Sequence, residues 1–183
     1  AKYLDACETH FITTSASKGE IYEYNLASGV MERVYKINDY QYTGIAYEDR
    51  DSGKYIYAPA YKSIYKWTKG LNIYSKFTYD EKYPLFGIKV NPQNKKLLTK
   101  NLIGEMVEFD QEMTYKGHPE NKGLRPFYSA DGEYLIYADT YFGSLTVLKN
   151  WNLSQLVKGT FEYVAENKRI LVGSDSSGNL NIY

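Results

Sequence analysis

The sequence predicts an all-β protein assembled from repeated antiparallel units, and three observations carry that reading. A six-residue pattern recurs five times. Each recurrence is preceded by a turn and a short apolar strand. Helix signals are nearly absent from the 183 residues.

The pattern reads Gly19-Glu20-Ile21-Tyr22-Glu23-Tyr24, then Lys62-Ser63-Ile64-Tyr65-Lys66-Trp67, then Gly104-Glu105-Met106-Val107-Glu108-Phe109. It returns as Gly143-Ser144-Leu145-Thr146-Val147-Leu148 and as Gly178-Asn179-Leu180-Asn181-Ile182-Tyr183. The starts are 43, 42, 39 and 35 residues apart. Short strands repeating every ~40 residues are the signature of a β-propeller. A plain antiparallel sandwich would show such spacing only by accident, five times in frame.

Each unit begins with a strand: Tyr3 to Cys7, Tyr42 to Tyr47, Leu85 to Val90, Pro126 to Ser129 and Phe161 to Ala165. A turn follows in the later units, as in Asp51-Ser52-Gly53, Asn91-Pro92-Gln93-Asn94, Asp131-Gly132 and Glu166-Asn167. Asp-Gly and Asn-rich pairs tolerate the positive φ that tight hairpins require. Next comes an apolar strand: His10 to Thr14, Lys54 to Ala58, Lys95 to Thr99, Glu133 to Ala138 and Lys168 to Val172. The six-residue pattern is the third strand. A variable fourth strand is expected at Met31 to Ile37, Leu71 to Phe77, Glu112 to Lys116 and Leu153 to Val157. Asn152 to Lys158 has the length of a helical turn, but its place in the repeat assigns it to an outer strand. The expected architecture is one domain over residues 1–183, with about five four-stranded antiparallel blades. The fifth unit lacks its outer strand. Four arrangements accommodate this: the first and fifth blades close a ring, Tyr3 to Cys7 crosses over to complete the fifth blade, the chain belongs to a larger propeller, or a partner supplies the missing strand.

Composition narrows the function. Lys plus Arg and Asp plus Glu are 22 each, so the net charge is zero and nothing points to a nucleic-acid partner. No apolar run reaches membrane-spanning length. Cys7 is the only cysteine, so packing rather than disulfides must hold the fold, and a buried, inert thiol is expected. The start at Ala1 fits removal of a leader or of a longer parent chain. Asn152-Leu153-Ser154 matches a glycosylation sequon, which chance alone supplies at this length. The 21 tyrosines suit strands, where the ring covers a neighbour and the hydroxyl reaches water.

The repeats resemble known propeller families. Gly117-His118, followed by Phe127-Tyr128-Ser129-Ala130-Asp131-Gly132-Glu133-Tyr134-Leu135, resembles a WD repeat. Trp67-Thr68 and Phe109-Asp110 stand where that family ends a strand with Trp-Asp. The phrase Gly53-Lys54-Tyr55-Ile56-Tyr57-Ala58 is similar to the YVTN and lactonase-like propellers. The resemblance implies a propeller over nearly the whole chain and carries over no functional residue.

Chemistry is sparse. His10 begins a second strand and His118 falls in a connection, and neither has a metal-ligand neighbour at suitable spacing. Asp5, Glu8, Glu48, Asp49, Asp51, Asp131 and Asp139 lie near blade turns, where carboxylates ordinarily cap backbone N–H groups. A lactonase-like metal centre would draw on Asn101, Asp139 and Asp175. No phosphate-cradling loop and no nucleophile elbow occur, and no cofactor is expected. The leading expectation is a binding or scaffold module that presents rigid loops to a protein partner. Its candidate contact residues are Tyr40, Tyr42, Tyr61, Tyr83, Tyr141, Phe142 and Trp151. A glycan-binding propeller and a lactonase- or glycosidase-like hydrolase with carboxylates at the central channel are the alternatives. The fourth pattern position runs Tyr22, Tyr65, Val107, Thr146, Asn181, which does not supply one equivalent sugar site per blade.

Overall fold

The computed structural model describes residues 3–15, 18–37, 42–48, 54–138, 144–158, 163–167, 170–174 and 180–182, with side chains described through Val157. All regular structure among these residues is β. The first sheet holds β1 (Leu4–Ala6), β2 (His10–Thr14), β3 (Glu20–Asn25) and β4 (Met31–Lys36) in that order. The second holds β5 (Ala46–Tyr47), β6 (Tyr55–Ala60), β7 (Ser63–Thr68) and β8 (Tyr74–Thr78). The third holds β9 (Leu85–Val90), β10 (Leu97–Asn101), β11 (Glu105–Phe109) and β12 (Tyr115–Lys122). The fourth holds β13 (Leu124–Tyr128), β14 (Tyr134–Ala138), β15 (Ser144–Lys149) and β16 (Asn152–Lys158). The fifth has three strands among the described residues, β17 (Tyr163–Asn167), β18 (Ile170–Ser174) and β19 (Leu180–Ile182).

Each sheet is a meander of antiparallel neighbours, as short turns dictate. The first strands β1, β5, β9 and β13 approach one another in sequence, so they are the inner strands around an axis. β1 pairs with β2 and completes the first sheet, rather than crossing to the fifth. The outer strand β12 begins later than expected and takes in His118, which the sequence placed in a connection. Its Pro119 is tolerated because an outer strand leaves its edge unpaired.

Burial explains the pattern residues. The third pattern position, occupied by Ile21, Ile64, Met106 and Leu145, is buried in every blade whose side chains are described. Cores lie between consecutive blades. Ile12, Ile21, Tyr35, Ile56 and Trp67 join the first two. Ile64, Leu85, Leu97 and Phe109 join the second and third, and Leu98, Met106, Leu135 and Leu148 the third and fourth. The middle strands therefore bury both faces and read as nearly continuous apolar runs, as in β6. A buried polar link spans the first junction: Glu23 accepts hydrogen bonds from Tyr35 Oη (2.6 Å) in its own blade and from Tyr47 Oη (2.9 Å) in the next. Burial pushes both phenols upward, which keeps them protonated and donating.

Candidate functional site

The register fixes which connections share an end of the barrel of blades. Leu85, which opens β9, pairs with Asn101, which closes β10. One end therefore carries the second-to-third hairpins and the entries into each first strand. The other carries the remaining turns. A cavity of about 440 Å³ opens at the first end, on the axis. All four four-stranded blades contribute to its lining through Tyr3, Thr43, Phe86 and Arg125.

Two local devices shape it. Gly44 and Gly87 meet back to back, and a Cβ on Gly44 would stand 2.8 Å from the Gly87 Cα. Thr43 seals this approach: its carbonyl accepts from Gly87 N (2.8 Å) and its hydroxyl donates to the Leu85 carbonyl (2.8 Å). The second device is a β-bulge. Leu98 pairs with Lys89 and Lys100 with Phe86, so β9 has one residue more than β10 over this stretch. Phe86 and Lys89 are three apart and in a regular strand would face opposite ways; the bulge turns both to the face of Leu98 and Lys100. The fourth blade repeats the bulge, with Leu124 opposite Ala138 and Phe127 opposite Ile136. Gly87 takes φ +65° in the third blade, and Arg125 takes φ +51° at the corresponding place in the fourth.

Lys100 breaks the repeat. The residues opposite the third pattern position are Thr14, Pro59, Lys100, Ala138 and Ser174. Only the third blade has a charge there. Lys100 is half-buried, and burial lowers its pKa. Lys89 and Arg125 also line the cavity, and no carboxylate does among the described residues. Elsewhere several lysines are paired across strands, Lys36 with Glu20, Lys96 with Glu108 and Lys122 with Glu105. No such partner serves Lys89 or Lys100 among the described residues.

The aromatic residues expected from sequence divide. Tyr61, at φ +54°, stands exposed in the β6–β7 hairpin (57%), on the cavity's end of the molecule. Tyr83 is half-buried in the connection between β8 and β9, with Lys82 Nζ 5.1 Å from its ring centre. Leu102 and Ile103, in the β10–β11 hairpin, are exposed at the same end and were not anticipated. Tyr42 is 1% exposed, gives its hydroxyl to the Gly19 carbonyl (3.0 Å) and meets Trp67 edge-on. It is a core residue, which corrects the expected exposure. Trp151 lies at the other end, stacked 3.4 Å from the His118 ring, with Nε1 donating to Glu108 (3.3 Å). Its role is to join the third and fourth blades. Tyr40, Tyr141 and Phe142 lie outside the described residues.

The carboxylates follow their backbone roles. Asp131 accepts from Ser129 Oγ (2.6 Å) and Glu133 N (3.0 Å), which hold its pKa low. Asp5 accepts from Tyr47 N (2.7 Å), tying β1 to β5. Glu8 is exposed. Asn101 has committed its amide, donating to Glu105 Oε2 (2.8 Å) and accepting from Ile103 N and Glu105 N. Asp49, Asp51, Asp139 and Asp175 lie outside the described residues. Cys7 is buried, 3.8 Å from Lys69 Nζ, which also lies 3.1 Å from His10 Nδ1. His10 Nε2 lies 2.9 Å from Glu32. The cationic lining escaped sequence reasoning because it comes from three strands; the one local signal was a lysine in a slot that is uncharged in the other four repeats.

No family model and no curated protein matches the sequence. Solved structures do match by shape. One is the β-propeller domain of Cps50 (Swd1) from Myceliophteria thermophila, with a TM-score of 0.75 and 13% identity. The likeness covers 99% of this chain and 63% of that one, so the chain spans less than two thirds of that domain's length. As many as 1130 solved chains match, so the likeness marks a common fold and not one activity. The chain has the β-propeller fold: its described residues are all-β, in four four-stranded antiparallel sheets and a fifth with three described strands.

Proposed function

We infer that the protein is an interaction module that binds a protein partner at the axial end carrying the second-to-third hairpins. The observation that carries this reading is the clustering there of exposed Tyr61, Leu102 and Ile103 around a cavity lined by four blades. Apolar groups on rigid hairpins bind without a large ordering cost. Tyr83 adds a half-buried ring at the same end. Tyr40, Tyr141 and Phe142 are retained as candidate contacts from sequence. Scaffold propellers such as WD repeats offer a precedent for this use of the fold, as analogy only.

The test is affinity capture with the purified domain, read by mass spectrometry, alongside a Tyr61→Ser/Ile103→Ser double variant. Proteins held by the wild type and lost by the folded variant support the reading. Capture that is indifferent to these substitutions removes it. A glycan array showing saturable binding, or an ion retained at the axis, would instead favour the sugar-binding or hydrolytic alternative. Nucleic acid is not an expected partner, because the net charge is zero.

A further inference from the structure

Lys100 differs from the paired lysines of the chain in what surrounds it. It follows Leu98 on the same face of β10, and its register neighbours are Phe86 in β9 and Met106 in β11. Leu98 and Met106 are fully buried in the core between the third and fourth blades. Lys100 therefore ends an apolar row, at the place where that core meets the axial cavity. Phe86, Ile88, Leu98, Leu102 and Pro126 give the cavity an apolar wall. Lys36, Lys96, Lys122 and Lys149 each stand within 3.3 Å of a glutamate. Lys100 has no ion pair and no hydrogen bond among the described residues. Its pKa is lowered by burial alone. The other ionisable residues of the lining are Tyr3, Lys89 and Arg125, and none contributes to that shift. The blade architecture does not need an amine at this position, since the other repeats place Thr14, Pro59, Ala138 and Ser174 there. A half-buried amine with no counter-charge favours its neutral form, and the neutral form is the nucleophile.

We propose that Lys100 is an imine-forming lysine and that the axial cavity holds a small aliphatic aldehyde against it. The Nζ lone pair attacks the carbonyl carbon, so that a C–N bond forms as the C=O π bond breaks. The nitrogen then gives up its two protons, the oxygen receives two through solvent and leaves as water, and a C=N bond remains. Amine and aldehyde become imine and water, with no oxidant or reductant. A lysine in an apolar pocket suits this chemistry, because the same desolvation that frees the amine shelters the alkyl chain. The cavity of about 440 Å³ has room for a chain of about six carbons. Thr43 and Asn101 also stand in the lining, but their side chains are committed to the frame. The inference is independent of the interaction reading, since it draws on neither Tyr61 nor Ile103.

The experiment is reductive trapping on the full chain. Hexanal is added with sodium cyanoborohydride, which reduces an imine to a stable secondary amine. Chymotryptic peptides are then read by mass spectrometry, so that each lysine reports its own rate. Lys100 should be alkylated at least about fivefold faster than Lys89, which lines the same cavity but is exposed. The exposed lysines Lys76 and Lys116, on the outer strands β8 and β12, should be as slow as Lys89. Across a pH series, the rate at Lys100 should reach half its maximum at a lower pH than the rate at Lys89. Glycolaldehyde, which lacks the alkyl chain, should lose most of the preference for Lys100. Lys100→Arg keeps the cation and should abolish the fast site while keeping the melting temperature. The wild-type rates decide the proposal even if that variant fails to fold. Alkylation of Lys100 no faster than of Lys89, Lys76 and Lys116 would overturn it. An equal preference for Lys100 with hexanal and with glycolaldehyde would overturn it too, by showing that the cavity wall selects nothing. Either result leaves the interaction reading standing, because that reading is tested at Tyr61 and Ile103.

Discussion

At the scale of single residues, Gly44 carries the tightest requirement. Its Cβ position meets Gly87 backbone at 2.8 Å, and backbone in a hydrogen-bonded inner strand cannot turn away as a side chain would. Gly44→Ala should cost about 1–3 kcal/mol by overpacking, a drop of several degrees in melting temperature at this length. Gly117→Ala is the control, because nothing lies within 4 Å of its Cβ position. Equal melting temperatures for the two variants would show that the axial contact yields. His118 carries a second requirement. It is 3% exposed, its Nε2 lacks a partner among the described residues, and burial holds its pKa below the ordinary value. Glu120 (3.4 Å from Nδ1) and Glu108 oppose that shift, and Lys116 adds to it. The unfolded chain therefore takes up this proton first, at its unperturbed pKa of ~6.5. The stability from neutral His118 is complete above that pH and is lost as pH falls through the depressed folded value. Thermal unfolding at pH 7.5 and 5.5 should show a larger acid loss in the wild type than in His118→Gln. Identical losses would assign the acid sensitivity to other groups.

At the scale of elements, the third strand is the most regular because it lies between two blade cores and pairs on both edges. Its third position faces the core, and its second supplies Glu20 and Glu105 for lysines of the outer strand. Those positions were readable from sequence, since period-two alternation is a local property. The outer strand was read less well: β12 runs from Tyr115 to Lys122, displaced from the expected Glu112 to Lys116. Its position is set by His118 stacking on Trp151 of the next blade, and no local pattern encodes a contact 33 residues away. The bulges in β9 and β13 were likewise invisible as register, though Gly87 in the run Leu85-Phe86-Gly87-Ile88 was their one mark.

At the scale of the whole molecule, stability comes from blade against blade, so an edge strand of the first blade should matter beyond its own length. β1 pairs with β2, its Asp5 accepts from Tyr47 N, and Cys7 enters the first core. Deleting residues 1 to 8 should therefore lower the melting temperature of the domain in a single transition. An unchanged melting temperature would make the segment a tail. A ring closed by the first and fifth blades predicts in addition that cysteines introduced at Leu4 and Asn181, in a Cys7→Ser background, join through a short bifunctional cross-linker. Failure to join would count against the closed ring.

The repeating unit, the order of its strands, the turns between them and the buried third position are all legible in the chain's local pattern. Those follow from alternation and turn chemistry within a few residues of each other. Which aromatic residues face water is settled by packing between blades. Tyr42 and Tyr61 look alike in sequence, but one fills the space beside Trp67 and the other stands in a hairpin. Assembly of the blades also decides that Lys89, Lys100 and Arg125 share a cavity. They belong to three strands of two blades, and one extra residue in β9 determines the face on which Lys89 emerges. A side chain's face depends on the register of its partner strand, which is a property of the assembled sheet and not of the segment.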